Sequence, residues 1–235
     1  DADQLVSDGT NSYTYDDAGN MTAAGSDGYS WDWANRLTSA TVNSVTTTFS
    51  YDGDNLRTSR TANSVTTDYV WDRVGGLPLV VDDETKAYLH ADGLVAEIDD
   101  SDDALYHLTD ALGSVRGLTD ESGAVVGSTS YAAFGEVRST SGTTSAYGYT
   151  GELSDPTTGL SYLRARYADP GLGRFLSMDT VQPNAPGTQG YNRCAYVANN
   201  PATWTDPTGQ SPESLVCAMM VHRAITNLIG ISIFA

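Results

Sequence analysis

The sequence predicts an all-β protein made of consecutive antiparallel β-hairpins, and three observations lead to this fold class. A unit of the form aromatic-x-aromatic-Asp occurs four times, beginning at Tyr13, Tyr29, Phe49 and Tyr69. The apolar runs elsewhere are short and bounded by Gly, Asn and Asp, which is typical of strands joined by turns. Lysine, which favours helices, occurs once, at Lys86. We therefore expect antiparallel strands over residues 10–210, forming a curved shell segment, with a short helix at the C-terminal end.

Each repeated unit has the pattern of one hairpin. In the first unit, strand alternation puts Tyr13 and Tyr15 on one face and Thr14 on the other. The following segment, residues 16–20, consists largely of residues that form tight turns. Because a single hairpin is marginal in water, the units must stack and bury their aromatic faces against one another. The repeated aromatics are thus predicted to be packing residues; the alternative is a platform that stacks on sugar rings.

Composition limits the classes of partner and site. The 235 residues carry a net charge of −18, which repels phosphate backbones and anionic lipids, so we expect no nucleic acid partner. Cys194 and Cys217 make no disulfide framework, no His/Cys cluster has zinc spacing, and no cofactor or metal is expected. Because the chain begins with Asp1 and shows no targeting segment, we interpret it as a fragment of a longer protein.

Four motifs follow one another between Tyr162 and Gly209. They are Arg-x-Arg-Tyr at 164–167, Asp-Pro-Gly-x-Gly-Arg-Phe at 169–175, Asn-Asn-Pro at 199–201 and Asp-Pro-Thr-Gly at 206–209. In this order and spacing they resemble the Rhs repeat-associated core, and the four aromatic units resemble the YD repeats that precede it. In that family the core closes a β-cage in bacterial Rhs toxins and their relatives.

The resemblance implies a division of the chain into a YD-repeat segment at 1–104, a core at 105–210 and a variable tail at 211–235. Ser211, Pro212 and Glu213 form a helix-start pattern, and an apolar run follows. We interpret this tail as a truncated toxin start; a membrane-inserting peptide is the alternative. The implied partners are a C-terminal payload on the same chain, the upstream shell, and secretion or immunity proteins. The implied location is secreted or at the cell surface.

The resemblance also implies a self-cleaving aspartyl protease site. The family cuts its own chain just beyond Asp-Pro-x-Gly, and its two catalytic carboxyls and its arginine fall here on Asp179, Asp206 and Arg164. Peptide hydrolysis by such a pair needs one carboxylate to activate water and one carboxylic acid to donate a proton. The cleavage region is expected at Gly209, Gln210, Ser211 and Pro212.

Structural roles compete with this assignment. Asp-Pro is an ordinary turn former, as Asp155-Pro156 illustrates, and arginine stems also cover sheet faces. Thr180, Gln210 and Pro212 depart from the family pattern, so we expect cleavage to be slow or absent. The second hypothesis is therefore a non-catalytic cell-surface adhesion or carbohydrate-binding module. Only the first hypothesis requires both carboxyls and Arg164 to converge.

Overall fold

A computed structural model describes residues 4–91, 93–180 and 192–210, together with the backbone of residues 213 and 214. In this part of the chain the regular structure is antiparallel β-sheet with two short 3₁₀ turns, at Tyr149–Gly151 and Tyr196–Asn199. The first sheet contains seven strands in chain order. They are β1 (Tyr13–Tyr15), β2 (Met21–Ala24), β3 (Asp27–Trp31), β4 (Leu37–Val42), β5 (Val45–Tyr51), β6 (Arg57–Ala62) and β7 (Val65–Asp68).

The later strands keep the same consecutive order in three further sheets. The second sheet contains β8 (Val70–Asp72), β9 (Leu79–Asp82), β10 (Lys86–Ala91), β11 (Gly93–Asp99), β12 (Ala104–Thr109), β13 (Val115–Thr119), β14 (Val125–Tyr131) and β15 (Val137–Gly142). The third contains β16 (Leu153–Ser154), β17 (Ser161–Leu163), β18 (Arg166–Asp169) and β19 (Arg174–Phe175), and the fourth pairs β20 (Trp204–Thr205) with β21 (Glu213–Ser214). The predicted all-β class of consecutive antiparallel hairpins is confirmed. The predicted boundary between residues 104 and 105 lies within β12 of the second sheet. The division of the chain into domains stays a prediction.

One turn recurs between strands, and its first residue is an aspartate. In the third repeat, Oδ1 of Asp52 accepts hydrogen bonds from the backbone N–H of Asp54 (2.9 Å) and of Leu56 (3.0 Å). Asn55 has φ 66°, a left-handed conformation that Asn and Gly adopt at low cost. We call this arrangement the Asp turn. The same pair of bonds, to residues two and four positions later, forms at Asp16, Asp32, Asp99, Asp110 and Asp120.

The repeated aromatics are packing residues, as predicted. All eight belong to the main hydrophobic core or pack against it. In the later three units the second aromatic also donates a hydrogen bond to an earlier strand, as Tyr51 O–H does to the carbonyl of Leu37 (2.7 Å) and Trp71 Nε1–H to that of Arg57 (2.8 Å). A register shift lies just before this second aromatic, as between Ser50 and Tyr51. The bulge bends the strand and re-aims that ring.

The same core joins the two large sheets to the third sheet, and so fixes where the third sheet lies. Tyr162 and Tyr167 of the third sheet pack in it beside the repeat aromatics. The buried guanidinium of Arg57, on β6, faces the rings of Tyr162 (4.4 Å from Cζ to the centroid) and Tyr69 (4.7 Å). Such cation–π contacts are strongest when the cation is shielded from water. The hairpin that carries Arg164 and Arg166 is therefore held against the repeats.

The structure differs from the sequence prediction where the tail begins. Glu213 and Ser214 pair with Thr205 and Trp204 as a short strand, in place of the predicted start of a helix. Strand pairing gives these backbone groups partners on another segment, which local helix-start signals do not anticipate. The rest of the predicted helix, and Cys217, lie outside the described residues. Within the described residues, no helix has the length and apolar character needed to cross a membrane.

Candidate active site

The hairpin of β17 and β18 brings two arginines to one end of the third sheet. Leu163 pairs with Arg166, so Arg164 and Ala165 form a two-residue turn, and Arg164 has φ 56°. The side chain of Arg166 is buried beneath the ring of Phe175, with 3.6 Å from Cζ to the ring centroid. A buried guanidinium needs acceptors for its five N–H groups, and these acceptors define the site.

Arg166 contacts both predicted carboxyls. Its Nη2 lies 2.8 Å from Oδ2 of Asp179 and 3.4 Å from Oδ2 of Asp206. Both aspartates are almost fully buried, so the two carboxyl groups share one donor in a region of low dielectric. Burial lowers the pKa of Arg166, while the charges of Asp179 and Asp206 oppose that shift. The guanidinium thus offsets the repulsion between two neighbouring carboxyls.

Asp206 begins a variant of the Asp turn, in which the aspartate is buried and the bond from the residue two positions later comes from the side chain of Thr208 in place of its backbone N–H. Its Oδ1 accepts a hydrogen bond from the N–H of Gln210 (3.0 Å), and the hydroxyl of Thr208 lies 3.3 Å away. Gly209 has φ 70°, and a Cβ added there would lie 2.3 Å from the carbonyl oxygen of Leu163. Glycine is required at this position because both the backbone conformation and the close approach of β17 exclude a side chain.

Asp179 is fixed through its backbone to a later segment. Its N–H donates to the carbonyl of Arg193 (3.0 Å), and its own carbonyl accepts from Nε of Arg193 (2.7 Å) and from Nη2 of the same side chain. Arg166 Nη1 donates to the Arg193 carbonyl as well (3.0 Å). Contacts with Arg193 and with Arg166, which are distant in sequence from each other, therefore hold the Asp179 carboxyl beside the Asp206 turn.

The peptide bond after Gly209 lies between these groups. The carbonyl of Gly209 accepts a hydrogen bond from Nε of Arg166, and the N–H on the other side of the bond, that of Gln210, donates to Asp206. A cavity of about 170 Å³ is lined by Asp179, Thr180, Arg166 and Gln210. Residues of two Asp turns, Arg36 and Asn55, also line it. Its volume is enough for several water molecules.

Arg164 lies in the adjacent turn and contacts different groups. Its Nη1 lies 2.7 Å from Oε2 of Glu152 and donates to the carbonyl of Pro207 (2.5 Å), while its Nε donates to the carbonyl of Pro78 (2.7 Å). Burial raises the pKa of Glu152 to about 7, and the charge of Arg164 opposes that shift. The guanidinium that contacts the two aspartates is that of Arg166, where the sequence interpretation expected Arg164.

The structure therefore brings together Asp179, Asp206, Gly209 and Gln210 and adds two residues that sequence reasoning did not assign, Arg166 and Glu152. Arg166 is the second arginine of the Arg-x-Arg motif and lies two positions after Arg164, the arginine that the family resemblance implied. Which arginine reaches the two aspartates depends on where the hairpin turns, and no Gly, Asn or Pro marks that turn. Ser211 and Pro212 lie outside the described residues.

Comparisons with known proteins agree with this fold. The family model described as Teneurin YD-shell matches residues 1–192. The chain is 36% identical over 112 residues to Double-stranded DNA deaminase toxin A of Burkholderia cenocepacia, a match that covers 45% of this chain and 8% of that protein. It is 34% identical over 131 residues to the tRNA3(Ser)-specific nuclease WapA of Bacillus spizizenii, covering 53% of this chain and 6% of that protein. The chain thus spans less than a tenth of these curated relatives.

Solved structures show the same fold at lower identity. The Photorhabdus luminescens Tc holotoxin pore aligns with a TM-score of 0.65 and 20% identity, covering 85% of this chain and 11% of that chain. The crystal structure of TcdB2-TccC3 aligns with a TM-score of 0.65 and 21% identity, covering 83% and 11%. At these identities the likeness shows the architecture of the β-shell.

Proposed function

The chain belongs to the Teneurin YD-shell family, and on that premise we propose that it is a wall segment of a β-shell that encloses a C-terminal payload and cuts its own chain after Gly209. The payload is inferred from relatives named as a deaminase toxin and a nuclease. It is also inferred from TcdB2-TccC3, a structure of which is described as lacking its hypervariable C-terminal region. In this proposal, residues 1–104 are YD repeats, 105–210 the closing core and 211–235 the start of the variable segment. Its setting is secreted or extracellular.

One observation carries the cleavage proposal: the peptide bond between Gly209 and Gln210 is bonded at its two ends by buried Arg166 and Asp206, and a second carboxyl, that of Asp179, contacts the same guanidinium. Arg166 donates to the carbonyl oxygen, which is where negative charge develops when water adds to the carbonyl carbon. Asp206 is 3.0 Å from the nitrogen that becomes the leaving amine. Asp179 lines the cavity and can be reached by water.

The chemistry follows from these positions. The ionised carboxyl of Asp179 takes a proton from water, and the water oxygen adds to the carbonyl carbon of Gly209. The guanidinium of Arg166 stabilises the resulting oxyanion. The nitrogen of Gln210 then takes a proton from the acid form of the carboxyl pair, the C–N bond breaks, and a new carboxyl group forms at Gly209. Water is consumed and no cofactor is needed.

The test is the intact mass of the purified chain at mildly acidic and neutral pH, for the unmutated protein and for Asp179→Asn and Asp206→Asn. Each substitution keeps the size of the side chain and removes the titratable group. We expect the unmutated chain to convert slowly to a shell fragment ending at Gly209, and both variants to stay intact while folded. Asp155→Asn is the matched control, because Asp155 is another buried Asp-Pro residue, paired with Arg60 (2.8 Å) outside the site.

Three outcomes decide between the hypotheses. Tail release in both Asp179→Asn and Asp206→Asn contradicts cleavage by this pair. Loss of release in Asp155→Asn as well, with all variants folded, attributes the effect to general loosening of the core. An unmutated chain that stays intact leaves the shell role, or the alternative of a non-catalytic adhesion or carbohydrate-binding module. Retention on immobilised glycans favours the last of these.

A further inference from the structure

A second buried ion pair lies behind the Asp206 turn. Glu152 and Arg164 have side chains only 8% and 11% exposed, and their charged atoms are 2.7 Å apart. Arg164 also contacts the carbonyls of Pro78 and Pro207, so its guanidinium connects three separate segments of the chain. A buried charge with all its partners in place is costly to disturb, because removing one partner leaves the others uncompensated.

These contacts reach the cleavage segment through its backbone. Pro207 directly follows Asp206, and its carbonyl is the acceptor for Arg164. The next carbonyl, that of Thr208, accepts a hydrogen bond from the N–H of Ala165 (3.3 Å). Two consecutive carbonyls of the Asp206 turn are therefore bound by the turn between β17 and β18. Since proline also fixes its own φ angle, this half of the turn has little freedom while Arg164 stays in place.

We propose that Glu152 is a positioning residue for the cleavage reaction: its carboxylate keeps Arg164 on the carbonyl of Pro207, and thereby aligns Asp206 and the Gly209–Gln210 bond with Asp179. This inference rests on the proposed function. It makes Arg164 a positioning residue too, and leaves Arg166 as the arginine that contacts the reacting atoms.

The charge state of Glu152 gives this role a distinctive pH dependence. The charge of Arg164 lowers the pKa of the Glu152 carboxyl, and that of Asp206 raises it. The charge of Glu152 in turn raises the pKa of the Tyr147 and Tyr196 phenols. Burial raises the pKa of Glu152 to about 7, so its charge changes across neutral pH. An ionised carboxylate makes a stronger hydrogen bond to a guanidinium than the neutral acid does. The turn should therefore be held most firmly above neutral pH.

Glu152→Gln tests the proposal because the amide mimics the neutral acid at every pH. We expect tail release by this variant to be about tenfold slower than by the unmutated chain near pH 8, where the unmutated carboxyl is ionised. Near pH 6, where the unmutated carboxyl is neutral too, we expect the two rates to converge. A ratio that is the same at both pH values indicates a purely structural role and overturns the proposal, as do equal rates throughout.

Amide hydrogen exchange tests the same proposal in the protein whether or not it cleaves. A peptide covering residues 206–210 reports on the bonds from Gly209 N–H and Gln210 N–H to Asp206. We expect Glu152→Gln to raise its exchange rate about tenfold near pH 8 and to leave the Asp52 turn, residues 52–56, unchanged. Unchanged exchange at 206–210 overturns the proposal. An unmutated chain that never cleaves contradicts the proposed function instead. The exchange rate at residues 206–210 then still shows whether Glu152 holds the Asp206 turn in position.

Discussion

The Asp52 turn and the Asp206 turn share most of their backbone arrangement and have different surroundings; the bond from the N–H two residues later at Asp52 is replaced at Asp206 by one from the Thr208 hydroxyl. In both, Oδ1 of the aspartate accepts from the N–H four residues later at 3.0 Å. In both, the residue three positions later is left-handed, with φ 66° at Asn55 and 70° at Gly209. The hydrogen bond from that residue to the aspartate carbonyl is 3.3 Å in one and 3.2 Å in the other. Asp206 thus has a full structural role before any chemistry is considered.

Their side-chain environments separate them. The Asp52 side chain is 20% exposed and pairs with Arg73, which is itself 47% exposed. The Asp206 side chain is 1% exposed and shares the buried Arg166 with Asp179. The comparison teaches that a turn aspartate becomes a candidate acid only when burial and a second carboxyl are added to the same local motif.

The largest expected difference is in tail release. Asp206→Asn removes one carboxyl of the proposed pair, so we expect its rate to fall by about 10³-fold or more, to background. Asp120→Asn changes an Asp turn at residues 120–124, which do not line the cavity, and its rate should match that of the unmutated chain. Time courses of intact mass give both rates. Equal losses in the two variants would show that the turn, and not the carboxyl, matters.

The next largest difference is in stability. Arg166→Met leaves two neighbouring carboxyls buried without their shared cation, and we expect the free energy of unfolding to fall by about 3–5 kcal/mol. Arg73→Met removes exposed ion pairs to Asp52 and Asp54, and we expect a change of about 1 kcal/mol or less. Urea titrations followed by tryptophan fluorescence measure both. A mild effect at Arg166 would mean that its carboxyl partners are largely hydrated.

A smaller difference is expected at the glycines of the two regions. Gly209→Ala forces a side chain into a left-handed residue against the backbone of β17, and we expect a loss of about 1–3 kcal/mol. Gly53→Ala has open space at its Cβ position and an ordinary φ, so we expect a change within about 0.5 kcal/mol. Thermal unfolding compares the two. Equal shifts in melting temperature would argue against the close packing of Gly209 on Leu163.

The smallest expected difference is the response to salt. A double-mutant cycle on Asp52 and Arg73 should give a coupling energy of about 0.2–1 kcal/mol that falls as salt is raised. The coupling between Asp179 and Arg166 should be larger and change little, because both side chains are only 6% exposed. A marked salt dependence at Arg166 would place that pair in contact with solvent.

The parts of the molecule that local sequence governs were predictable, and the parts that depend on distant contacts were not. The hairpins and their Asp turns follow from a pattern repeated within a few residues, as at Tyr51 and Asp52. The choice of Arg166 over Arg164 depends on the position of an unmarked turn. The role of Glu152 depends on a partner twelve residues away and on a carbonyl at Pro207, and no local motif encodes either contact.

The most direct test of the central claim, that the buried turn is where the chain cuts itself, is the mass of the fragment released by freshly purified unmutated protein, followed over a wide range of protein concentrations. An intramolecular reaction at this site predicts a shell fragment that ends at Gly209 and forms with a first-order rate constant independent of concentration. A rate that rises with protein concentration, or a fragment that ends before the Asp206 turn, would contradict the claim.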